Sequence, residues 1–502
     1  MKHFYSFMIL VICTLLVQTK VDAQYPYLHS RYLMGSGTNT NTIVRAYGAR
    51  QAVVYYERAG LGYVALVDVQ TGQKREIALD TRVKIKDMSI TSDTLYMGGG
   101  EYDALGVPYV IGTVVYLDIR EFFSPTMTVN YFQPSYFYLN EIQQIASCTY
   151  VDYLSGQRKT KLYTVGDLYY HCDPNQNEWL YNNFNNRPPS HHDYCGSDIP
   201  EIGGYKVFNN VMEIANPFVT DTHYSYGYPY STLETPRILM PITYNDGNEV
   251  INDVVVSGGY ASFVGVAQGG VDSLTVHVCT IEKSFLFDTD GVDSYSQSRF
   301  SKYYAYPLGG QGSRVYKACS MGGGVMAVAT TNETSSLTGI AVRVIDLATG
   351  QMLNSRRVYA QGAELHDMVY DNGTQKLVLL FKTVGDVGAF WFCPIDPYST
   401  VANEFVSTMR DANNTLMYHS IDIMGVGTFV STGDNRGLVS RYPYWNPSVP
   451  CYGLYNFRVD KIDYLQSILS NFDYDICNLH LDNRQVVVTP VASSIYSDCM
   501  IH

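Results

Sequence analysis

The amino-acid sequence predicts an all-β fold in which successive small sheets pack face to face around a closed ring. The first observation is compositional, because the 502 residues include 45 Tyr and 41 Gly while only 16% are charged. This balance favours twisted sheets with aromatic faces over charged helical surfaces. The second observation is a hairpin sequence that occurs twice, and the third is a series of similar strand starts along the chain. Together they indicate a repeat architecture.

The repeated hairpin reads Val-Asp-Val-Gln-Thr-Gly-Gln at 67–73 and Ile-Asp-Leu-Ala-Thr-Gly-Gln at 345–351. The Thr-Gly pair supplies the backbone freedom of a tight turn, and the preceding Asp68 or Asp346 can accept hydrogen bonds from the amides of that turn. We therefore expect Asp68 and Asp346 to occupy equivalent corners of two different sheets.

Seven short segments share an acidic or apolar start that leads into a strand-like run. They begin at Asp87-Met88, Glu141-Ile142, Val211-Met212, Asp253-Val254, Ala318-Cys319, Asp367-Met368 and Asp422-Ile423. Their separations range from about forty to about seventy residues, which is close to the length of four strands with their loops. Each segment is predicted to open one small sheet.

Through the two hairpins and the repeated Asp-Met starts, the chain resembles the β-propeller superfamily. The resemblance implies about seven four-stranded blades, with about six or about eight as alternatives. No Gly-His with Trp-Asp signature recurs at blade spacing, so the WD40 pattern does not apply and no family's active site is carried over. An outer-membrane β-barrel is the competing fold. The runs 377–381 and 389–393 argue against it, because they are apolar on both faces.

The first residues have the layout of a secretory signal. Lys2 and His3 precede an apolar run at 7–17, and Val21-Asp22-Ala23 forms a small-residue cleavage site before Gln24. We expect a signal peptide at 1–23, a lead-in at 24–42 and the propeller domain at 43–502. Export to the periplasm, the outer surface or the extracellular space follows. The net charge of −13 disfavours nucleic acid and anionic membranes as partners, and no span of the membrane is predicted.

The predicted signal, the Tyr-rich and Asn-rich loops and two tripeptides resemble secreted proteins of Bacteroidota. The tripeptides are Asp93-Thr94-Leu95 and Asp272-Ser273-Leu274. The resemblance implies that such sites carry O-linked glycans.

Cysteines and acidic loops offer the candidate structural links. Cys172 and Cys195 would close a loop of about twenty residues by a disulfide, worth roughly 3 kcal/mol. The alternatives are a zinc site that adds the nearby histidines at 171, 191 and 192, or neither. The acidic loops 245–249 and 288–293 place oxygen atoms on alternate residues, as calcium loops do. Plain Asp-Gly turns are the favoured interpretation, so no cofactor is predicted and calcium stays the alternative.

Four aspartates open predicted inner strands. They are Asp87, Asp253, Asp367 and Asp422. If they converge near a central axis, crowding of like charges would raise some of their pKa values and supply general acid or base groups. The favoured alternative is structural, with each side chain hydrogen-bonded to the turn that leads into its own strand.

Aromatic loops supply the predicted ligand-binding residues. They are Tyr224, Tyr226, Tyr228, Tyr230, Tyr444 and Trp445. Such rings stack on sugars or anchor a protein partner, or alternatively they pack on their own loops. No nucleophile elbow, zinc-protease motif or phosphate loop occurs. The sequence therefore predicts a non-enzymatic binding or scaffold protein for a glycan or a surface protein. A carbohydrate-active hydrolase or lyase with carboxylates at the central channel is the alternative.

Overall fold

In the computed structural model, the chain is all-β apart from one short 3₁₀ helix, Ile119–Glu121. The structure describes residues 27–33, 39–102, 110–132, 140–151, 156–171, 201–202, 205–215, 222–225, 228–231, 237–238, 249–281, 302–309, 311–331, 339–358, 363–382, 390–399, 409–410, 416–435, 458–463, 474–475, 479–482, 485–488 and 491–492. Within these ranges, no helix has the length and apolar character that crossing a membrane requires.

The N-terminal strand is β1 (Tyr27–Leu33), and two antiparallel sheets of four strands follow it. Sheet 1 has the strand order β2 (Asn39–Tyr47), β3 (Gln51–Arg58), β4 (Leu61–Asp68) and β5 (Lys74–Ala78). Sheet 2 has the order β6 (Val83–Thr91), β7 (Thr94–Tyr102), β8 (Val110–Asp118) and β9 (Asn130–Phe132).

Sheet 3 is less regular, because short strands and an extra hairpin interrupt it. Its elements are β10 (Asn140–Val151), β11 (Arg158–His171), β12 (Glu201–Ile202), β13 (Tyr205–Ala215) and β16 (Arg237–Ile238). The strand order is β10-β11-β13-β12, and β16 also pairs with β13. Between β13 and β16, β14 (Thr222–Ser225) and β15 (Tyr228–Ser231) form a separate two-stranded hairpin.

Sheets 4, 5 and 6 return to four antiparallel strands in chain order. Sheet 4 contains β17 (Glu249–Ser257), β18 (Tyr260–Ala267), β19 (Ser273–Thr280) and β20 (Lys302–Pro307). Sheet 5 contains β21 (Val315–Gly322), β22 (Val325–Thr331), β23 (Ile340–Asp346) and β24 (Met352–Val358). Sheet 6 contains β25 (Glu364–Asp371), β26 (Lys376–Lys382), β27 (Phe390–Ile395) and β28 (Met409–Arg410).

Sheet 7 is assembled from both ends of the chain. Its strands are β29 (Leu416–Gly425), β30 (Thr428–Asn435), β31 (Arg458–Asp463), β33 (Leu479–Asp482) and β34 (Gln485–Val488), and β1 lies between β31 and β34. The pairing of β1 with β31 runs from Tyr27 opposite Asp463 to Leu33 opposite Arg458. The short strands β32 (Tyr474–Asp475) and β35 (Val491–Ala492) pair with each other. A strand from the predicted lead-in therefore helps to complete the last sheet.

The sheets pack in succession, each first strand beside the first strand of the next sheet, and β29 of sheet 7 contacts β2 of sheet 1. Buried apolar clusters fill the spaces between neighbouring sheets. Between sheets 6 and 7, the rings of Phe392 and Phe429 lie 5.0 Å apart. Both faces of the sheets are covered, as the apolar runs predicted. The β-propeller arrangement is therefore confirmed.

The sequence predicts about seven blades of four strands each, but the described residues do not form seven four-stranded sheets. The described residues contain five four-stranded sheets, and sheets 3 and 7 have five and six strands. The insertion around β14 and β15 breaks the pattern of sheet 3, and strands from both termini enlarge sheet 7. Six of the predicted starts fall in the first strand of a sheet. The start at Val211 is wrong, because it lies in β13, and β2 was missed.

The two hairpins occupy equivalent places, as their shared sequence predicts. Asp68 ends β4 and Asp346 ends β23, which are the third strands of sheets 1 and 5. In each turn the carbonyl of the aspartate accepts the amide of the following glycine at 2.8 Å. Asp68 Oδ1 accepts the Thr71 amide at 2.9 Å, and Asp346 Oδ1 accepts the Thr349 amide at 2.8 Å. The predicted capping role is confirmed.

Candidate functional site: the central cavity

Each of the sheets 1 to 7 has a bulge near the start of its first strand, and these bulges shape the interior of the ring. The register shifts lie at Thr40/Ile43, Ile85/Asp87, Ile142/Gln144, Ile251/Asp253, Val315/Lys317, Leu365/Asp367 and Tyr418/Ser420. A bulge adds one or more residues to a strand and redirects the side chains around it. Polar residues from every sheet are therefore positioned at the same level of the ring.

Glycine in the second strand accommodates this bulge in two neighbouring sheets. Gly99 on β7 lies so close to the first strand that an added Cβ would stand 1.9 Å from the carbonyl oxygen of Lys84. Gly166 on β11 shows the same approach, with a Cβ at 1.9 Å from the carbonyl oxygen of Glu141. No side chain fits at that distance, so glycine at these positions permits the close strand approach.

All four inner aspartates bind the first strand of the next sheet in the ring, and for three of them this is also the next sheet along the chain. The Oδ2 atom of Asp87 accepts the Ile145 amide of sheet 3 at 3.1 Å. Asp253 Oδ2 accepts the Ala318 amide of sheet 5 at 2.8 Å, and Asp367 Oδ2 accepts the Ile421 amide of sheet 7 at 2.9 Å. The predicted structural role is thus correct, but the expected partner was wrong, because the carboxylates reach the neighbouring sheet.

The remaining aspartate closes the ring between sheets 7 and 1. Asp422 Oδ2 accepts the Ala46 amide of β2 at 2.8 Å, and Ser420 Oγ accepts the Val44 amide at 3.3 Å. The second oxygen of Asp422 accepts its own following amide, from Ile423, at 2.8 Å. Two further carboxylates do the same, Asp253 with Val254 and Asp367 with Met368.

Two cations lie among these carboxylates. The Arg45 guanidinium donates to Asp87 Oδ1 at 2.5 Å and to the Met88 carbonyl at 2.7 Å. Lys317 Nζ donates to Gln144 Oε1 at 3.1 Å and lies 3.6 Å from Asp253 Oδ2. The aspartates therefore do converge near the axis, as the alternative interpretation predicted, and they are neutralised in part by Arg45 and Lys317.

Burial governs the ionisation of this group. Desolvation raises the pKa of Asp253, against the opposing charge of Lys317, and it also raises the pKa of Asp422 against Arg45. Burial lowers the pKa of Lys317, but the charges of Asp253, Asp87 and Asp367 together outweigh it and the net pKa is raised. Lys317 is therefore a protonated ammonium at neutral pH.

The bulges surround a central cavity of about 300 Å³. Its polar lining includes Asn41, Thr42, Lys86, Gln144, His366 and His419, together with Arg45, Asp87, Lys317, Asp367 and Ser420. Pockets of this size with convergent polar groups commonly bind small ligands. The cavity lies at the end of the ring where the first strands begin, which we call the cavity end.

Two histidines that sequence reasoning missed face this cavity. His366 and His419 each stand immediately before the residue at the bulge, on the neighbouring strands β25 and β29. Their ring centroids are 5.9 Å apart. Burial, and then the nearby His419, lower the pKa of His366 to about 4, so this imidazole is neutral at neutral pH. An alignment of the strand starts would have brought the two histidines to one position.

Four cysteines lie in the described part of the chain. They are Cys148, Cys279, Cys319 and Cys393, and burial raises the pKa of Cys393 to about 12. The predicted disulfide pair, Cys172 and Cys195, lies outside the described residues. The described chain holds no group of three or more His, Cys, Asp or Glu side chains suited to a metal. The acidic loop 288–293 and residues 245–248 of the other acidic loop also lie outside it.

The predicted aromatic binding residues are placed only in part. Tyr224, Tyr228 and Tyr230 belong to the β14–β15 hairpin, in which Tyr224 pairs with Pro229 and His223 pairs with Tyr230. Tyr226, Tyr444 and Trp445 lie outside the described residues.

The strands that flank the two aromatic segments end on opposite sides of the ring. The chain leaves β13 at Ala215, which is opposite Lys161 at the far end of sheet 3. It leaves β30 at Asn435, which is opposite Leu416 at the cavity end. The attachment points of the two predicted aromatic segments are therefore not on one face.

The two tripeptides of the Bacteroidota-like resemblance lie at strand starts. Asp93 accepts the Tyr47 hydroxyl at 2.7 Å, and Asp272 accepts the Ser313 amide at 2.8 Å. Leu95 and Leu274 are buried. Both tripeptides thus have structural contacts, and attached glycans stay a prediction.

The closed succession of sheets, with polar first strands around an axial cavity, places the chain among the β-propellers. No family model matches the chain, and no curated protein matches it. Among solved structures it is similar to a mutant of prolyl oligopeptidase B from Galerina marginata bound to a 25mer macrocyclization substrate, with 11% identity and a TM-score of 0.40. The match covers 89% of this chain and 53% of that chain, so the present chain spans about half of that protein's length.

Proposed function

We propose that this chain is an exported, non-enzymatic binding protein, a seven-bladed propeller that recognises a glycan at its cavity end. The count of seven treats sheets 3 and 7 as blades beside the five four-stranded sheets. This is supported by β10 and β29, which carry the same bulge and take the same place in the succession of sheets. Export is supported by the signal-like layout of residues 1–23.

The proposal rests on the hydrogen bonds that the carboxylates around the central cavity already accept. Asp367 accepts two backbone amides, from Met368 and Ile421. Asp87 accepts the Ile145 amide and the Arg45 guanidinium. Glycoside hydrolysis needs a pair of carboxyl groups that reach the scissile bond as acid and as base or nucleophile. Carboxylates that hold neighbouring strands together favour binding over hydrolysis.

The rest of the cavity lining suits a hydroxyl-rich ligand. Lys86 and Lys317 offer ammonium donors, the Gln144 amide offers a donor, and His366 and His419 add imidazoles. Sugars present donors and acceptors together, and aromatic rings stack on their apolar faces. The segment that contains Tyr444 and Trp445 is attached at the cavity end, between Asn435 and Arg458, so we propose these two rings as the aromatic part of the site.

Glycan-array binding of the purified protein tests this proposal. We expect Trp445→Ala and Lys86→Ala to weaken binding of the best glycan at least roughly tenfold, because each removes a stacking or charged contact. Tyr228→Ala, on the hairpin beyond Ala215, is the matched control and should bind as the wild type does. Loss of binding in Tyr228→Ala alone would place recognition at the opposite end. An empty array, together with capture of one surface protein, would replace the glycan with that partner.

The hydrolase alternative has its own readout. We expect no release of reducing ends from any polysaccharide that the protein binds. If turnover were detected and Asp87→Asn abolished it without changing the midpoint of urea unfolding, the carboxylate would be catalytic and the binding proposal would be wrong.

A further inference from the structure

The paired imidazoles of His366 and His419 raise a question that glycan binding does not answer. Both side chains occupy the same position on adjacent first strands, directly before the bulge. Both line the central cavity, and their ring planes are tilted by 59° with centroids 5.9 Å apart. Two histidines at one repeat position and one level of the ring form a defined cluster within the cavity wall.

We propose that His366 and His419 form a two-imidazole site for a first-row divalent metal ion, with Zn²⁺ as the working choice. Imidazole nitrogens bind zinc at about 2.0–2.1 Å, so two rings on one ion have centroids about 5 to 6.5 Å apart. The observed separation lies within that range without movement of either strand. Zinc, copper and nickel are the ions that imidazole favours among first-row metals.

Side chains with oxygen atoms line the same cavity as the pair. Asn41 and Thr42, on β2, line the same cavity, and so does Ser420, the residue after His419. Two protein nitrogens would leave two positions of a tetrahedral ion for water or for the oxygen of a bound ligand, one more than in catalytic zinc sites with three protein ligands. The cavity volume of about 300 Å³ leaves room for such an added ligand.

Charges of both signs surround the pair, including Lys382, which acts on His366. Four carboxylates, from Asp87, Asp253, Asp367 and Asp422, act on Arg45 at the axis, whereas Arg45 and Lys317 are the two cations placed among them. The third cation of the lining, Lys86, is paired with Glu141 at 3.3 Å. The carboxylates thus offset part of the positive charge around the cavity, although their oxygens accept backbone amides.

Isothermal titration of the full-length protein with Zn²⁺ tests the site. We expect one equivalent to bind to the wild type, and His366→Gln and His419→Gln each to lower the affinity at least roughly tenfold, because each removes one of two protein ligands. The matched control is the double variant His191→Gln/His192→Gln, which removes the histidines of the other candidate cluster. It should retain the wild-type affinity. Zinc binding that is absent from the wild type, or unchanged in His419→Gln, would refute the site.

A spectroscopic measurement on the wild type keeps the test independent of how the variants fold. Electron paramagnetic resonance of the Cu²⁺-loaded protein should show coupling to two imidazole nitrogens, and the Co²⁺-loaded protein should lack a thiolate charge-transfer band. A thiolate band, or coupling to fewer than two imidazoles, would assign the metal elsewhere and overturn the proposal. Because neither readout involves a sugar, failure here would leave the proposed glycan binding standing.

Discussion

Two kinds of junction alternate from sheet 1 to sheet 7, and the comparison between them explains where the cavity obtains its chemistry. The seventh junction, which closes the ring between sheets 7 and 1, is linked by Asp422 and Ser420. At the junctions of sheets 2–3, 4–5 and 6–7, which we call the aspartate junctions, a carboxylate at the bulge accepts a backbone amide of the next sheet. At the alternate junctions, 1–2, 3–4 and 5–6, the residue at the same bulge position is Ile43, Gln144 or Lys317.

At the alternate junctions, the residue at the bulge lines the cavity and accepts no backbone amide of the next sheet. Ile43 and Lys317 have no acceptor to offer, and the Gln144 oxygen accepts from Lys317 across the axis. Between sheets 1 and 2 the link is reversed, because Arg45 donates to the Met88 carbonyl and to Asp87. The same backbone bulge thus links neighbouring sheets where it carries aspartate, and where it carries Ile43, Gln144 or Lys317 it contributes to the cavity lining.

The largest effect is expected from breaking an aspartate junction. Asp367→Ala leaves the buried amides of Met368 and Ile421 without their acceptor, and we expect it to lower the free energy of unfolding by about 3–4 kcal/mol. The measurement is the midpoint of urea unfolding. Gln144→Ala, at an alternate junction, is the control and should cost less than about 1 kcal/mol. Equal losses in the two variants would remove the distinction between the junctions.

A smaller loss is expected from the glycine that permits the bulge itself. Gly99→Ala places a Cβ against the backbone of Lys84, so the strands must separate at a cost of about 2–3 kcal/mol. The control is Gly270→Ala, where no atom lies within 4 Å of the added Cβ. Thermal melting should therefore show a lowered midpoint for Gly99→Ala and little change for Gly270→Ala. Unchanged melting of Gly99→Ala would show that the bulge tolerates a side chain.

The smallest effect concerns pH and contrasts a junction aspartate with a hairpin aspartate. Burial raises the pKa of Asp253, so this carboxyl binds more protons when folded. Its contribution to the free energy of unfolding is therefore fully present below the pKa that the group has in the unfolded state. This contribution is lost as the pH rises through the pKa of the folded state. The amide of Thr349 lowers the pKa of Asp346, so its contribution is present above the unfolded pKa and is lost as the pH falls through the folded pKa.

Urea unfolding at acidic and neutral pH measures this contrast. We expect Asp346→Asn to be most destabilising at neutral pH and progressively less so as the pH falls below the unfolded-state pKa of the aspartate. Asp253→Asn should instead lose less stability than the wild type does when the pH rises from about 4 to neutral. The same pH trend in both variants would contradict the assigned difference in environment.

The sequence predicted features that depend on near neighbours. The hairpins at Asp68 and Asp346 fold as expected because their hydrogen bonds lie within six residues, and six of the sheet starts follow from the local acidic or apolar pattern. The aspartate junctions were not predictable in this way. Their partners are 58, 65 and 54 residues away, and only the packing of successive sheets brings them together.

The candidate site at the two cavity histidines was harder to predict than the fold, because its residues are also far apart in the sequence. His366 and His419 are 53 residues apart and neither belongs to a recognisable motif. Sequence reasoning instead selected the tyrosine-rich loops, where aromatic residues are conspicuous. The place of β1 beside β31 was also missed, because a single short strand near the N-terminus carries no signal of a partner more than 400 residues away.

Hydrogen–deuterium exchange on Asp367→Ala tests the role of the aspartate junctions most directly. If the carboxylate holds the next sheet, exchange should accelerate in the peptide of β29, which contains Ile421, more than in the peptide of β26 within its own sheet. Acceleration confined to β25 and its neighbouring turn, with β29 protected as in the wild type, would show that Asp367 supports only its own strand.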